Sequence, residues 1–248
     1  MSIEKFKQLI VGKSVALVGP AAYMMGSGLG KEINSYDVVV RINRSHESVD
    51  KFSNDIGSRT DILYSCLIEK NANAGKIDPI HLKNLGIKQI VAPPASSMKG
   101  LSDSTRLHEL IDIKKARVLD ETIGVRVVDH HFHNSLALKV DCRPNTGYVA
   151  IFDLLRFSPK RLGVYGFSFY LDGFVDGVKE GVQLEQGKTP DQFATQCFNS
   201  KRHVQKNMWK YAKETLSELS NVHLDNTLKK ILSMESFSRE MFLKEMSK

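Results

Sequence analysis

Two glycine-bearing blocks of this 248-residue chain carry the residue types that hold phosphate. In the first, Val15–Asn43, an apolar run ends at Gly19. It is followed by Gly26, Ser27, Gly28 and Gly30, and then by a second apolar run closing on Arg41-Ile42-Asn43. Glycines after a strand let backbone N–H groups approach an anion, and a helix N-terminus adds the positive end of its dipole. In the second block, Arg143-Pro144-Asn145-Thr146-Gly147 opens an apolar helix with a hydroxyl and an unhindered amide, and Tyr165-Gly166-Phe167 closes a following strand. His203, within Lys201-Arg202-His203-Val204-Gln205, begins a long helix and is the side-chain type whose pKa suits a general base near neutral pH.

Neither common phosphate loop fits the first block. A Walker loop fails because Glu32 follows Gly30-Lys31 and Met25 stands where the first glycine belongs; Gly12-Lys13-Ser14 fails because Lys7 takes that place. A dinucleotide loop fails because Gly26-Ser27-Gly28-Leu29-Gly30 begins late after Gly19 and its last spacing is short. A ligand-free strand-to-helix turn is the alternative for the first block, and a simple helix cap explains the second equally. His130-His131 and His133 form a third cluster: metal, substrate contact and packing are all open to it, and on a strand His131 and His133 would share a face.

These residues need a scaffold, and the apolar pattern supplies one. Strands are expected at 14–18, 37–42, 61–65, 89–92, 116–119 and 162–165. Helices are expected at 28–34, 79–85, 102–111, 146–157, 189–197, 202–219 and 227–246. Alternating strands and helices predict an α/β, Rossmann-like, mainly parallel sheet flanked by helices. Ligands of such sheets sit beyond the carboxyl ends of the strands, where Gly19, Asn43 and Gly166 fall. Ile3, Phe6, Leu9 and Ile10 recur at helical spacing at the N-terminus. The expected organisation is a single domain over 1–248, with a lid over 167–200 and C-terminal helices over 202–247.

The chain is 42% hydrophobic and 25% charged, as in ordinary globular proteins, and has no apolar run of bilayer length. Three widely spaced cysteines form neither a metal-ligand pattern nor a disulfide framework, which favours a cytoplasmic setting. The net charge of +7 is scattered along helices, without a nucleic-acid-binding motif. It suits an anionic small substrate or peripheral contact with an anionic membrane, and nucleic acid is not expected as a partner. Oligomeric state is not legible.

Taken together and in order, the blocks resemble the eukaryotic-type sialyltransferase family, as a divergent soluble member. Val18-Gly19, Gly26-Ser27-Gly28-Leu29-Gly30-Lys31-Glu32-Ile33 and Asp37–Asn43 resemble its large sialylmotif. Asp55-Ile56-Gly57-Ser58-Arg59-Thr60 resembles the run that follows, and Pro144–Gly147 through Tyr165-Gly166-Phe167 resembles the small sialylmotif. The resemblance implies a glycosyltransferase A-like variant of the fold. It also implies inverting transfer of sialic acid, or a related keto-sugar such as Kdo, from its CMP donor to a glycan hydroxyl, without metal or other cofactor. On this reading Gly19, Ser27, Gly28, Asn43, Asn145, Thr146, Gly147 and Gly166 bind the nucleotide. Tyr165, Phe167 and Arg202 contact substrate, and His203 is the catalytic base.

The departures are Pro20 where the family has asparagine, Val15 and Pro159 near the positions of its bridging cysteines, and Met208 where a glutamate follows the histidine. The family's aromatic-histidine motif is not recognisable in 168–188. Two other readings stay open: an NAD-type oxidoreductase with a degenerate glycine loop, which Arg41-Ile42-Asn43 disfavours because no acidic residue is there for a ribose diol, and an inactive sialyltransferase-like binding module.

Overall fold

The computed structural model describes residues 3–69, 76–95, 100–176, 178 and 186–246. Seven strands form one all-parallel sheet: β1 (Ser14–Val18), β2 (Val38–Ile42), β3 (Ile62–Tyr64), β4 (Gln89–Ala92), β5 (Val125–Val127), β6 (Arg161–Tyr165) and β7 (Val222–Leu224), in the order β5-β4-β3-β2-β1-β6-β7. The helices are α1 (Ile3–Ile10), α2 (Gly30–Asn34), α3 (Val49–Ile56), α4 (Pro79–Asn84), α5 (Asp103–Leu110), α6 (Ile113–Thr122), α7 (His130–Lys139), α8 (Thr146–Leu155), α9 (Pro190–Phe198), α10 (Gln205–Leu216), α11 (Asn226–Ser233) and α12 (Arg239–Met246). None among the described residues is long and apolar enough to cross a membrane.

The central strands are mostly apolar on both sides because both sheet faces are covered, with Arg41 in β2 as a buried exception. On one face Val15, Leu17, Val38, Val40, Leu162 and Val164 pack with Phe6 and Ile10 of α1, Val149 and Leu154 of α8, and Met208 and Trp209 of α10. On the other, Ala16, Val18, Val39 and Tyr165 meet Ile33 of α2 and Val49 and Ile56 of α3. A third cluster joins β3, β4 and β5 to α4 and α6 through Leu63, Ile90, Val125, Leu82 and Leu119.

The expected Rossmann-like class is found, with several local differences. Residues 116–119 are helical: Asp112 caps α6 by accepting from the Lys114 and Lys115 amides, and Ala116 and Leu119 bury one side while Val118 is exposed. β5 escaped the apolar pattern because its middle residue is Arg126. That charge is buried in an ion pair with Asp153 of α8, which also accepts from the Tyr64 hydroxyl at 2.7 Å. Residues 130–139 form α7, capped by Asp129, so His130 and His133 are the histidines that share a buried side while His131 is exposed. The expected helix 227–246 is two helices; Met234 is extended, and Phe237 between them stacks on Trp209 and Phe198. α3 and β7 also lie where no element was expected.

Within the expected lid, residues 177 and 179–185 lie outside the described residues. The stretch from Phe167 to Asp176 packs on the loop after β1: Ala21 and Phe174 form a β-bridge, and the Val175 N–H donates to Pro20 O at 2.8 Å.

Candidate functional site

The chain runs outward from β1 to β5 on one side and returns to β6 on the other, so the loops after β1 and β6 diverge at a switch point, where α/β sheets bind ligands. Gly19 and Gly166 form its floor. The Gly19 N–H donates to Tyr165 O at 2.7 Å, and the Ala21 N–H donates to Gly166 O at 3.1 Å. A Cβ on Gly19 would stand 2.3 Å from Gly166 O, and one on Gly166, whose φ is +72°, would stand 2.5 Å from Gly19 O. Only glycine permits this approach.

The second block reaches the same floor. A Cβ on Gly147 would meet Ile42 Cδ1 and Phe167 Cε1, each at 2.9 Å, so the N-terminus of α8 abuts both the end of β2 and the residue after Gly166. Asn145 caps α8, its Oδ1 accepting from the Tyr148 N–H at 2.9 Å. As first residues of the helix, Thr146 and Gly147 have amides without intrahelical acceptors, and no described residue accepts from them. Asn43, at φ +48°, uses Oδ1 to accept from the Cys66 N–H at 2.9 Å, which ties the ends of β2 and β3 and leaves its amide nitrogen for a ligand.

His203 joins the group through Arg143, whose carbonyl lies 2.7 Å from His203 Nδ1. The carbonyl can only accept, so Nδ1 carries the proton and Nε2 keeps a lone pair. Burial holds the His203 pKa below the ordinary histidine value, only partly offset by that bond, so the ring is neutral and ready to accept a proton. Met208, at the place of the family's glutamate, is fully buried in the core beside Trp209.

Gly19, Gly166, Phe167 and Gly147 are thus in contact, with Asn43 beside Ile42, Asn145 and Thr146 beside Gly147, and His203 joined through Arg143; Arg202 adjoins His203 on the exposed side. Three expected site residues are otherwise committed. The Gly28 N–H donates to Asp55 Oδ1 at 2.9 Å, and the Ser27 hydroxyl donates to Asp55 O at 3.3 Å, which fastens this loop to α3. Tyr165 is wholly buried, donates to Glu32 Oε1 at 2.6 Å and pairs with the Tyr36 hydroxyl at 2.9 Å on the α2 side of the sheet.

Positioning residues that pattern did not reveal come from far along the chain. Asp225, after β7, accepts from the Gly166 N–H at 2.9 Å and the Tyr23 hydroxyl at 2.8 Å, while that hydroxyl accepts from the Phe167 N–H at 3.0 Å. Asp172 accepts from the Tyr23 N–H at 2.8 Å. Burial raises the pKa of both aspartates. A cap signal before α11 was present at Asp225, but nothing local tied it to Gly166. Arg41 is likewise buried and donates to Ile56 O (2.6 Å), Gly57 O (2.9 Å), Arg59 O and Thr60 Oγ1 (both 3.1 Å), which explains why the Asp55–Thr60 run accompanies the first block. With no carboxylate to offset it, burial lowers the Arg41 pKa to about 9.

A model of glycosyltransferase family 29 (sialyltransferase) matches residues 11–169, more than half of the chain and both glycine-bearing blocks, but not His203. A mammalian sialyltransferase solved with Gal-beta-1-3GalNAc-ortho-nitrophenol is similar with a TM-score of 0.53 at 14% identity, over 88% of this chain and 71% of that one. A second mammalian sialyltransferase structure gives 0.53 at 13% identity, over 90% and 77%. At these identities the structures speak for the fold. No curated protein matches the chain.

Proposed function

The chain belongs to glycosyltransferase family 29, the sialyltransferases, and on that premise we propose that it moves sialic acid, or a related keto-sugar such as Kdo, from its CMP donor to a glycan hydroxyl with inversion. The observation that carries the proposal is the open N-terminus of α8, set against Ile42 and Phe167 at the switch point. The Thr146 and Gly147 amides, the Thr146 hydroxyl and the helix dipole are aimed where a nucleotide phosphate would sit.

The chemistry follows from these groups. His203 Nε2 takes the proton of the acceptor hydroxyl as that oxygen attacks the anomeric carbon from the face opposite the phosphate. The bond from that carbon to the phosphate oxygen breaks, and CMP leaves with the electron pair. The phosphate gains one negative charge in this step, and donors fixed beforehand stabilise it most as it develops. Arg202, exposed beside His203, lies where it can contact substrate. This donor set supplies the charge stabilisation without a metal ion, so turnover is expected to persist with excess EDTA.

The test is a donor screen with CMP-Neu5Ac, CMP-Kdo and a UDP-hexose, scored by release of free CMP or UDP in the presence of glycan acceptors. Turnover of a CMP-keto-sugar that collapses in His203→Ala supports the proposal. Unchanged turnover in that variant removes His203 from the mechanism, and no turnover with any donor leaves a binding module.

A further inference from the structure

Most arginines that the fold draws inward are answered by the protein itself. Arg41 has four oxygen acceptors, Arg126 has Asp153, and Arg239 pairs with Asp191 at 2.6 Å. Arg143 is the exception. It is half-buried immediately before α8, and its guanidinium meets no carboxylate or carbonyl among the described residues. Its pKa is lowered first by burial and then by the charge of Arg202, itself a cation without a described partner.

A second observation concerns the neighbouring α7. His133 is 3% exposed and His130 2%, yet neither nitrogen of His133 nor Nε2 of His130 makes a hydrogen bond among the described residues. Asn134 lies alongside but is engaged with His130 Nδ1 at 3.2 Å. Buried polar nitrogens of this kind ordinarily have partners. Burial, and then the charges of Arg143 and His130, push the His133 pKa down to about 4, which puts His133 within electrostatic reach of Arg143. A half-buried cation, a second cation and a buried imidazole, His133, without a hydrogen-bond partner among the described residues form a site that lacks an anion.

We propose that Arg143, with the unpartnered His133 near it, receives the carboxylate of an acidic keto-sugar donor and so selects CMP-linked 2-keto acids over neutral nucleotide sugars. This inference rests on the reading given above. In such a donor the carboxylate and the phosphate oxygen are attached to the same carbon, so an anion site must adjoin the phosphate site. Arg143 stands three residues before Thr146, whose amide opens that phosphate site. Its planar fork matches a carboxylate through two parallel hydrogen bonds. Its carbonyl, meanwhile, orients His203. One residue therefore fixes both a substituent of the reacting carbon and the base that serves it.

The experiment is calorimetric titration of the full chain and of Arg143→Met with CMP, CMP-Neu5Ac, CMP-Kdo and a CMP-Neu5Ac methyl ester, alongside unfolding curves. The expected result is that Arg143→Met binds CMP nearly as the parent does but loses on the order of tenfold to a hundredfold for the acidic donors, as for one charged hydrogen-bonded contact. The methyl ester should bind more weakly than its parent compound to the unaltered protein and equally with it to the variant. Arg143→Lys, which keeps a cation without the fork, should recover part of the loss, and this separates charge from folding. Equal losses for CMP and for CMP-Neu5Ac would assign Arg143 to the phosphate and overturn the inference, as would undiminished binding of the acidic donors. Failure of the unaltered protein to bind CMP would instead remove the underlying reading.

Discussion

Arg126 and Arg143 are both drawn away from bulk water, and the protein treats their charges in opposite ways. Arg126 is 5% exposed in β5, paired with Asp153, and lies over the rings of Phe6 and Phe157 at 4.1 and 5.1 Å. Arg143 stands at the carboxyl edge of the sheet with another arginine as its charged neighbour. Within the sheet a buried charge is answered internally, by a carboxylate at Arg126 and by four neutral oxygens at Arg41, because removing an ion from water costs several kcal/mol. At the edge the counter-charge is left for something that binds. The same contrast separates Tyr165, whose hydroxyl is committed to Glu32, from His203, whose Nε2 is open.

The contrast breaks most visibly at Asp153. Asp153→Ala leaves Arg126 buried without its partner and is expected to destabilise the protein by about 3–5 kcal/mol in urea unfolding; a loss under 1 kcal/mol would show that Arg126 needs no internal partner. His133 tests the edge in the absence of nucleotide. Its folded pKa of about 4 lies below the ordinary 6.5, so between those values the unfolded chain binds more protons than the folded one. Stability is then complete above about pH 6.5 and declines as the pH falls to about 4, by about 3 kcal/mol. His133→Leu should flatten that decline, and an unaltered slope would show that another group causes it.

His203→Ala is expected to lower turnover on the order of a hundredfold with CMP affinity unchanged. The acid limb of log kcat/KM against pH should fall below pH 6.5, in keeping with the depressed pKa of the histidine, and should vanish in the variant. The smallest effect sharpens the comparison most. Arg143→Met should shift unfolding by less than about 0.5 kcal/mol, because no internal pair is lost; a shift of the size expected for Asp153→Ala would make Arg143 a fold residue like Arg126.

The sheet was legible wherever a strand is apolar across both faces, as at Val15–Val18 and Leu162–Tyr165. It was hidden at Val125–Val127, because a buried ion pair breaks the pattern that reveals a strand. α7 was hidden as well, since its buried side carries histidines. The capped start of α8 could be read from Pro144–Gly147 because capping chemistry is local. The commitment of Gly28 to Asp55 and of Tyr165 to Glu32 could not be read, because each depends on a partner brought close only by folding.

The order and residue types of the two glycine-bearing blocks determined the family, the parallel sheet and the edge at which ligands bind, since these follow from short-range periodicity and backbone geometry. The tertiary structure alone decided which polar groups are answered by the protein and which are left open. Satisfaction of a hydrogen bond or a charge is a property of pairs, and pairs such as Arg126 with Asp153, or Gly166 with Asp225, lie tens of residues apart in the chain.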